Sequence, residues 1–180
     1  MKARSFVGFL SVVCIVAIAG CAMNTRTMKT GNGESIAINL LNDQDFKSDH
    51  LVKVALERND ESGFYGLQAT YMNKVAYTAF VNGVDFPENS KIILAFFDFS
   101  EKNGVVLPEK KMWSATMKKT KAETTGNWAY SSVDYQTLKP KFPDPVETCY
   151  VGCHKDKENN DYVFLEHPLK NARHPIRGHG

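Results

Sequence analysis

Lys91-Ile92-Ile93-Leu94-Ala95-Phe96-Phe97-Asp98-Phe99 is an almost unbroken apolar run. Its branched and aromatic content predicts a largely buried strand. Pro87 with Glu88-Asn89 turns the chain into it, and Gly104 and Pro108 mark the loop at its far end. Working outward, Gly63 to Met72 reads as a second strand, after which Asn73 caps a short helix over Lys74 to Asn82 that Gly83 stops. Met112 to Lys119 and Trp128 to Tyr135 alternate as two further strands, separated by the charged turn Lys118 to Gly126. Upstream, Phe46, Leu51, Val54 and Ala55 recur at three- and four-residue spacing, which predicts an amphipathic helix over Asp45 to Arg58. Pro140, Pro143 and Pro145 forbid regular structure between Lys139 and Pro145. Four strands beside helices give an α+β class: a mainly antiparallel β-sheet with a few short helices.

The first twenty residues differ in kind. Lys2 and Arg4 precede an uncharged run from Phe6 to Ala19, the pattern of an export signal and too short for a comfortable membrane span. Ile18-Ala19-Gly20-Cys21 resembles a bacterial lipobox, so residues 1–20 are expected to be removed and Cys21 lipidated. Ala22, rather than an aspartate, favours sorting to the periplasmic face of the outer membrane. Residues 21–40 then form a flexible tether, 41–169 the domain and 170–180 a basic tail with His174 and His179. Without Lys2 and Arg4 the 22 basic residues fall to 20, against 20 acidic ones, which argues against a nucleic-acid partner.

Chemistry concentrates in Cys149-Tyr150-Val151-Gly152-Cys153-His154. Two thiols followed directly by a histidine suit a c-type heme, in which the thiols add to the vinyl groups and the histidine binds iron. The usual spacing is C-x-x-C-H, and this chain has one residue more. Gly152 gives the backbone room to bulge, and the adjacency of Cys153 and His154 is kept. Two other readings stay open: a Cys149–Cys153 disulfide in an oxidising compartment, and a zinc site completed by His167 or His174.

His154-Lys155, Asp161-Tyr162-Val163-Phe164 and Pro168-Leu169 together resemble the C-terminal signature of the cytochrome P-460 family. Gly66 to Asn73 with Ala76 and Tyr77, Phe86-Pro87-Glu88, and Gly126 to Tyr130 fall in the family's order, so the resemblance spans about Phe64 to Leu169. It implies a small, mostly β, commonly homodimeric hemoprotein with one covalent heme c, thioethers at Cys149 and Cys153, and His154 as proximal ligand. The hydroxylamine-oxidising kind in this family carries a lysine cross-linked to the porphyrin, and Leu94 falls at that position. Ser114 falls near the distal carboxylate of the enzymatic kind. Both departures resemble the cytochrome c′-beta kind, with an apolar distal pocket, here Phe64 and Leu94, that binds nitric oxide or carbon monoxide. A hydroxylamine or nitric oxide oxidoreductase is the alternative, and a periplasmic electron-transfer partner goes with either.

Other residues receive bland readings. Trp113 and Trp128 are expected in the core, His50 on the face of the first helix, and Lys118, Lys119 and Lys121 on a solvated turn.

Overall fold

The computed structural model describes residues 27–30, 32–37, 41, 46, 48–121 and 123–166. Cys21 and the rest of the expected leader, and His167, His174 and His179, lie outside them. Seven strands among the described residues form one sheet: β1 (Thr27–Lys29), β2 (Ser35–Ala37), β3 (His50–Glu57), β4 (Gly66–Met72), β5 (Lys91–Lys102), β6 (Val105–Lys119) and β7 (Trp128–Asp134). Their order is β1-β2-β6-β5-β4-β3, with β7 also paired to β6. Every pairing is antiparallel except the short β2–β6 one. The α+β, mainly antiparallel expectation therefore holds.

The helix α1 (Lys74–Asn82) is bounded as its sequence predicts. Asn73 Oδ1 accepts the Ala76 N–H at 3.0 Å and also the Lys91 N–H at 3.1 Å, so one cap fixes both the helix start and the entry into β5. Such a cap is worth about 1 kcal/mol. Gly83 ends the helix at φ 65°, its N–H returning to the Ala79 and Phe80 carbonyls.

The expected helix over Asp45 to Arg58 is instead strand β3. Its register against β4 shifts between Leu51 and Lys53. This bulge puts Leu51 and Val54, three residues apart, opposite Tyr71 and Ala69 on one sheet face. A helical spacing therefore arises within a strand. Two further expectations change. Asn103 and Gly104, at φ 54° and 74°, are a two-residue hairpin joining β5 to β6, so Pro108 lies inside β6 opposite Phe99, in an irregular stretch of pairing that tolerates a missing N–H. Thr27–Lys29 and Ser35–Ala37, placed in the tether by the sequence, are strands, with Ile36 and Ala37 fully buried. Apolar burial at that point outweighs the glycine-rich surroundings.

Two cores lie on opposite faces of the sheet. On one, Leu67, Ala69 and Tyr71 of β4 meet Ile93, Ala95 and Phe97 of β5, covered by Ile36, Leu41 and Phe46. On the other, Met72, Ile92, Met117 and the fully buried Trp128 pack under α1 and Val163. This second face carries the chemistry.

Candidate functional site

Beyond the second core the same face continues in two rungs. Thr70, Leu94, Ala115 and Ser132 lie side by side across β4, β5, β6 and β7, and Gln68, Phe96, Trp113 and Asp134 form the next rung. Leu94 is only partly buried, although β5 is an interior strand with neighbours on both edges. Phe96 stacks on Trp113 with centroids 3.8 Å apart, Phe142 meets Trp113 edge-on at 5.5 Å, and Phe64 tilts over Phe96 at 6.2 Å. Phe64 itself is half exposed. Its backbone is tied down: Ser62 Oγ accepts its N–H at 3.1 Å, and its carbonyl accepts Gln68 Nε2–H at 2.7 Å. Phe64 and Leu94 thus both lie beside Phe96 on one apolar stretch. Ser114 does not join them. It pairs with Ala95 on the opposite face, and its hydroxyl lies 3.0 Å from the Tyr135 hydroxyl. The polar groups bordering Leu94 are instead Thr70 and, on the next rung, Gln68.

The cysteine segment packs against β7 on this face. Val146–Val151 winds as a π-helical turn, closed where Gly152 N–H reaches back five residues to the Glu147 carbonyl at 3.0 Å. Such a turn holds one residue more than an α-helical one; Cys149 lies within it and Cys153 just past its end. Gly152 contributes differently from the sequence reading, since its backbone is ordinary right-handed helix at φ −69°. A Cβ there would lie 2.7 Å from the Thr148 carbonyl oxygen, so the position needs the absence of a side chain. Cys149 and Cys153 are free thiols, the first half-buried and the second exposed. Burial pushes the Cys149 thiol above its ordinary value, and the nearby Cys153 adds to the shift. The disulfide reading finds no bond. For the zinc reading, no three His, Cys, Asp or Glu side chains converge as a metal-ion site among the described residues.

His154 follows at the start of a 3-10 helix (His154–Asn160). Its ring lies 5.2 Å from Tyr130 and meets Phe164 edge-on at 4.9 Å. Nδ1 is 2.6 Å from the Tyr162 carbonyl oxygen, which can only accept, so Nδ1 carries the proton and donates. Nε2 then holds the lone pair. Burial lowers the imidazole below its ordinary range and outweighs the opposing pull of the Tyr162 carbonyl, which favours the neutral, metal-binding form. Tyr130 pairs with Met117, one rung from Leu94, and points its ring toward Tyr150 at 6.0 Å as well as His154. Its buried hydroxyl has no hydrogen-bond partner among the described residues, and burial pushes that phenol well above its ordinary value.

Sequence reasoning identified Cys149, Cys153 and His154 but missed the residues around them. The Tyr162 carbonyl leaves no side-chain signature. Tyr130, Trp113 and Phe142 join the site only through the strand register and the turn that follows it.

These residues fit heme. One face presents a neutral imidazole whose Nε2 holds the lone pair, two unbonded thiols, one inside the π-helical turn and one just past its end, and an apolar surface around Phe64 and Leu94. His50, by contrast, lies at the exposed end of β3, stacked on Tyr77 at 4.1 Å. No curated protein matches the chain. A family model described as cytochrome P460 matches residues 43–165 and so takes in the sheet from Phe46 onward, the cysteine turn and the histidine. By that match the chain belongs to the cytochrome P460 family of heme proteins.

Proposed function

We propose that the mature protein is a lipoprotein held by Cys21 at the periplasmic face of the outer membrane. In this reading its domain carries one heme c that binds nitric oxide or carbon monoxide. Cys149 and Cys153 supply the thioethers, His154 Nε2 supplies the axial nitrogen, and two domains associate as a homodimer. The observation that carries the reading is Leu94. It occupies the middle of the site face, bordered by Thr70, Ala115, Ile92 and Phe96, none of which offers a nitrogen nucleophile for a cross-link. Lys91 cannot substitute, because alternation along β5 turns it to the opposite face, where it pairs with Asp49 at 2.9 Å. Lys119 shares the face but is paired with Asp161.

Heme bound here supplies an iron with one position open to a small ligand. The chain does the rest. His154 is held in the tautomer that donates from Nε2, and Tyr130 and Phe164 confine its ring. Phe64 and Leu94, backed by the buried Phe96, line the approach with hydrocarbon, so a neutral diatomic loses nothing there while an anion finds little to offset its desolvation. Gln68 gives one of its two amide N–H groups to the Phe64 carbonyl, which ties down the backbone that carries the phenyl ring.

The test is a heme stain after denaturing electrophoresis, followed by a reduced spectrum of protein matured in a host that attaches heme c. A covalent heme with an ordinary c-type Soret band is expected. A Soret band displaced far to the red, or sustained hydroxylamine turnover, would refute the reading in favour of the oxidoreductase. Phe64→Ala should speed ligand entry several-fold, and unchanged kinetics would make Phe64 a packing residue only. Cys21→Ser should release the protein from the membrane fraction.

A further inference from the structure

Asp161 and Tyr162 are consecutive non-glycine residues in left-handed conformation, at φ 52° and 62°. The conformation is unfavourable for both, so other contacts must hold it. Asp161 makes those contacts with every polar group it has. Its N–H donates to the Glu158 carbonyl at 3.0 Å, its carbonyl accepts Trp128 Nε1–H at 3.0 Å, Oδ2 accepts the Phe86 N–H at 3.1 Å, and Oδ1 pairs with Lys119 Nζ. Phe86 precedes β5, Lys119 ends β6 and Trp128 begins β7, so one aspartate joins three parts of the sheet.

Lys119 is no solvated turn residue, in contrast to its sequence reading. Its side chain and that of Asp161 are 13% and 14% exposed. The ammonium also lies 4.8 Å from the Trp128 ring centroid and 3.4 Å from the Gly126 carbonyl. Partial burial of the pair makes water a poor substitute partner for either charge.

We propose that Lys119 and Asp161 form a positioning pair for His154. The ion pair fixes the left-handed turn, the turn aims the Tyr162 carbonyl at Nδ1, and that bond sets the tautomer and orientation of the imidazole. Neither residue touches the heme face of His154. The proposal deepens the heme reading and rests on it only for its functional meaning, because the effect on His154 exists in the chain itself.

The experiment has two arms on the full chain. Without heme, nitrogen-15 NMR of the histidines should show His154 as a single Nδ1-protonated species. Asp161→Asn, which keeps an acceptor for the Phe86 N–H and suits left-handed backbone, should split its signals into two tautomers, and Lys119→Met should do the same. Lys119→Arg should restore the single species. The double variant Lys119→Met/Asp161→Asn leaves no unpaired buried charge, so it should fold well and still show both tautomers. With heme bound, loss of the Nδ1 bond should move the iron–histidine stretching band to lower frequency and raise the reduction potential, because the imidazole becomes a weaker donor. Variants that lower the melting temperature yet leave tautomer and band unchanged would overturn the proposal and make the pair a stabilising contact only. Absence of heme with the tautomer shift present would sink the heme reading and leave the pairing intact.

Discussion

Gly126 and Gly104 both have left-handed backbone, at φ 64° and 74°, but their surroundings differ. A Cβ on Gly104 would meet nothing within 4 Å, whereas one on Gly126 would lie 2.1 to 2.5 Å from three atoms of the Tyr162 ring. Gly104→Ala therefore isolates the backbone cost of holding an L-residue in that region, about 1–2 kcal/mol. Gly126→Ala carries the same cost and must also push aside a ring wedged near the Asp161 turn, an overpacking that adds about 1–3 kcal/mol. The sums are about 1–2 against about 2–5 kcal/mol. For a chain of this size each kcal/mol lowers the melting midpoint by roughly 2–4 °C, so the two variants should separate clearly in urea and thermal denaturation. Because Tyr162 carries the carbonyl that holds His154 Nδ1, Gly126→Ala should also perturb the His154 ring resonances, and Gly104→Ala should leave them alone. Equal losses for the two variants, within about 0.5 kcal/mol, would refute the idea that Gly126 is a seat for the ring.

Gly152→Ala, whose Cβ would lie 2.7 Å from the Thr148 carbonyl, should cost about 1–3 kcal/mol and lower the fraction of heme peptide joined through both sulfurs, as read by mass spectrometry. In heme-free chain, iodoacetamide should label exposed Cys153 before half-buried Cys149, and the lag should shorten as pH rises past the ordinary thiol range, because burial raises the Cys149 value. Stability of that chain should also depend on His154. Burial holds the folded imidazole below its ordinary value, so the unfolded state binds more protons as pH falls from about 6.5 toward the folded value. The contribution is full above that window, declines within it and is level below. His154→Gln should remove this slope from the urea midpoints, and a wild-type midpoint that rose through the window on acidification would contradict the sign.

What was legible in the sequence were the elements with local causes. Asn73 and Gly83 bound α1 because capping and left-handed termination act within a few residues. The run from Lys91 is an interior strand because its composition suits no other place. The β3 segment failed for an equally specific reason: a bulge is a pairing defect, and pairing belongs to two strands at once. Ser114 shows a signal that was present and unused. Asn103-Gly104 is a two-residue hairpin signal, and counting outward from it pairs odd-numbered residues of β5 with even-numbered residues of β6. That parity sets Ser114 on the face of Ile93 and Ala95, away from Leu94. The register shifts between Phe96 and Phe97 and between Phe97 and Phe99 move the pairing by one residue each, so together they restore the parity.

The candidate site divides along the same line. Cys149, Cys153 and His154 announce themselves because their chemistry depends on residue type and adjacency, which a sequence displays. The Asp161-Tyr162 stretch carried the family resemblance without any visible reason, since neither residue has an evident part in binding heme. The structure supplies the reason in backbone terms: Asp161 is held by Phe86, Trp128 and Lys119, residues 75, 33 and 42 positions away, and its conformation delivers the Tyr162 main-chain oxygen to His154. A main-chain oxygen can come from any residue type, so only the side chains that hold the turn are constrained. Those side chains lie where the sheet brings β6, β7 and the approach to β5 together. His154 is therefore oriented by the fold as a whole, while the apolar surface around Leu94 is set by individual side chains. Exchange of single residues at Leu94 or Phe64 should consequently change that surface without disturbing how His154 is held.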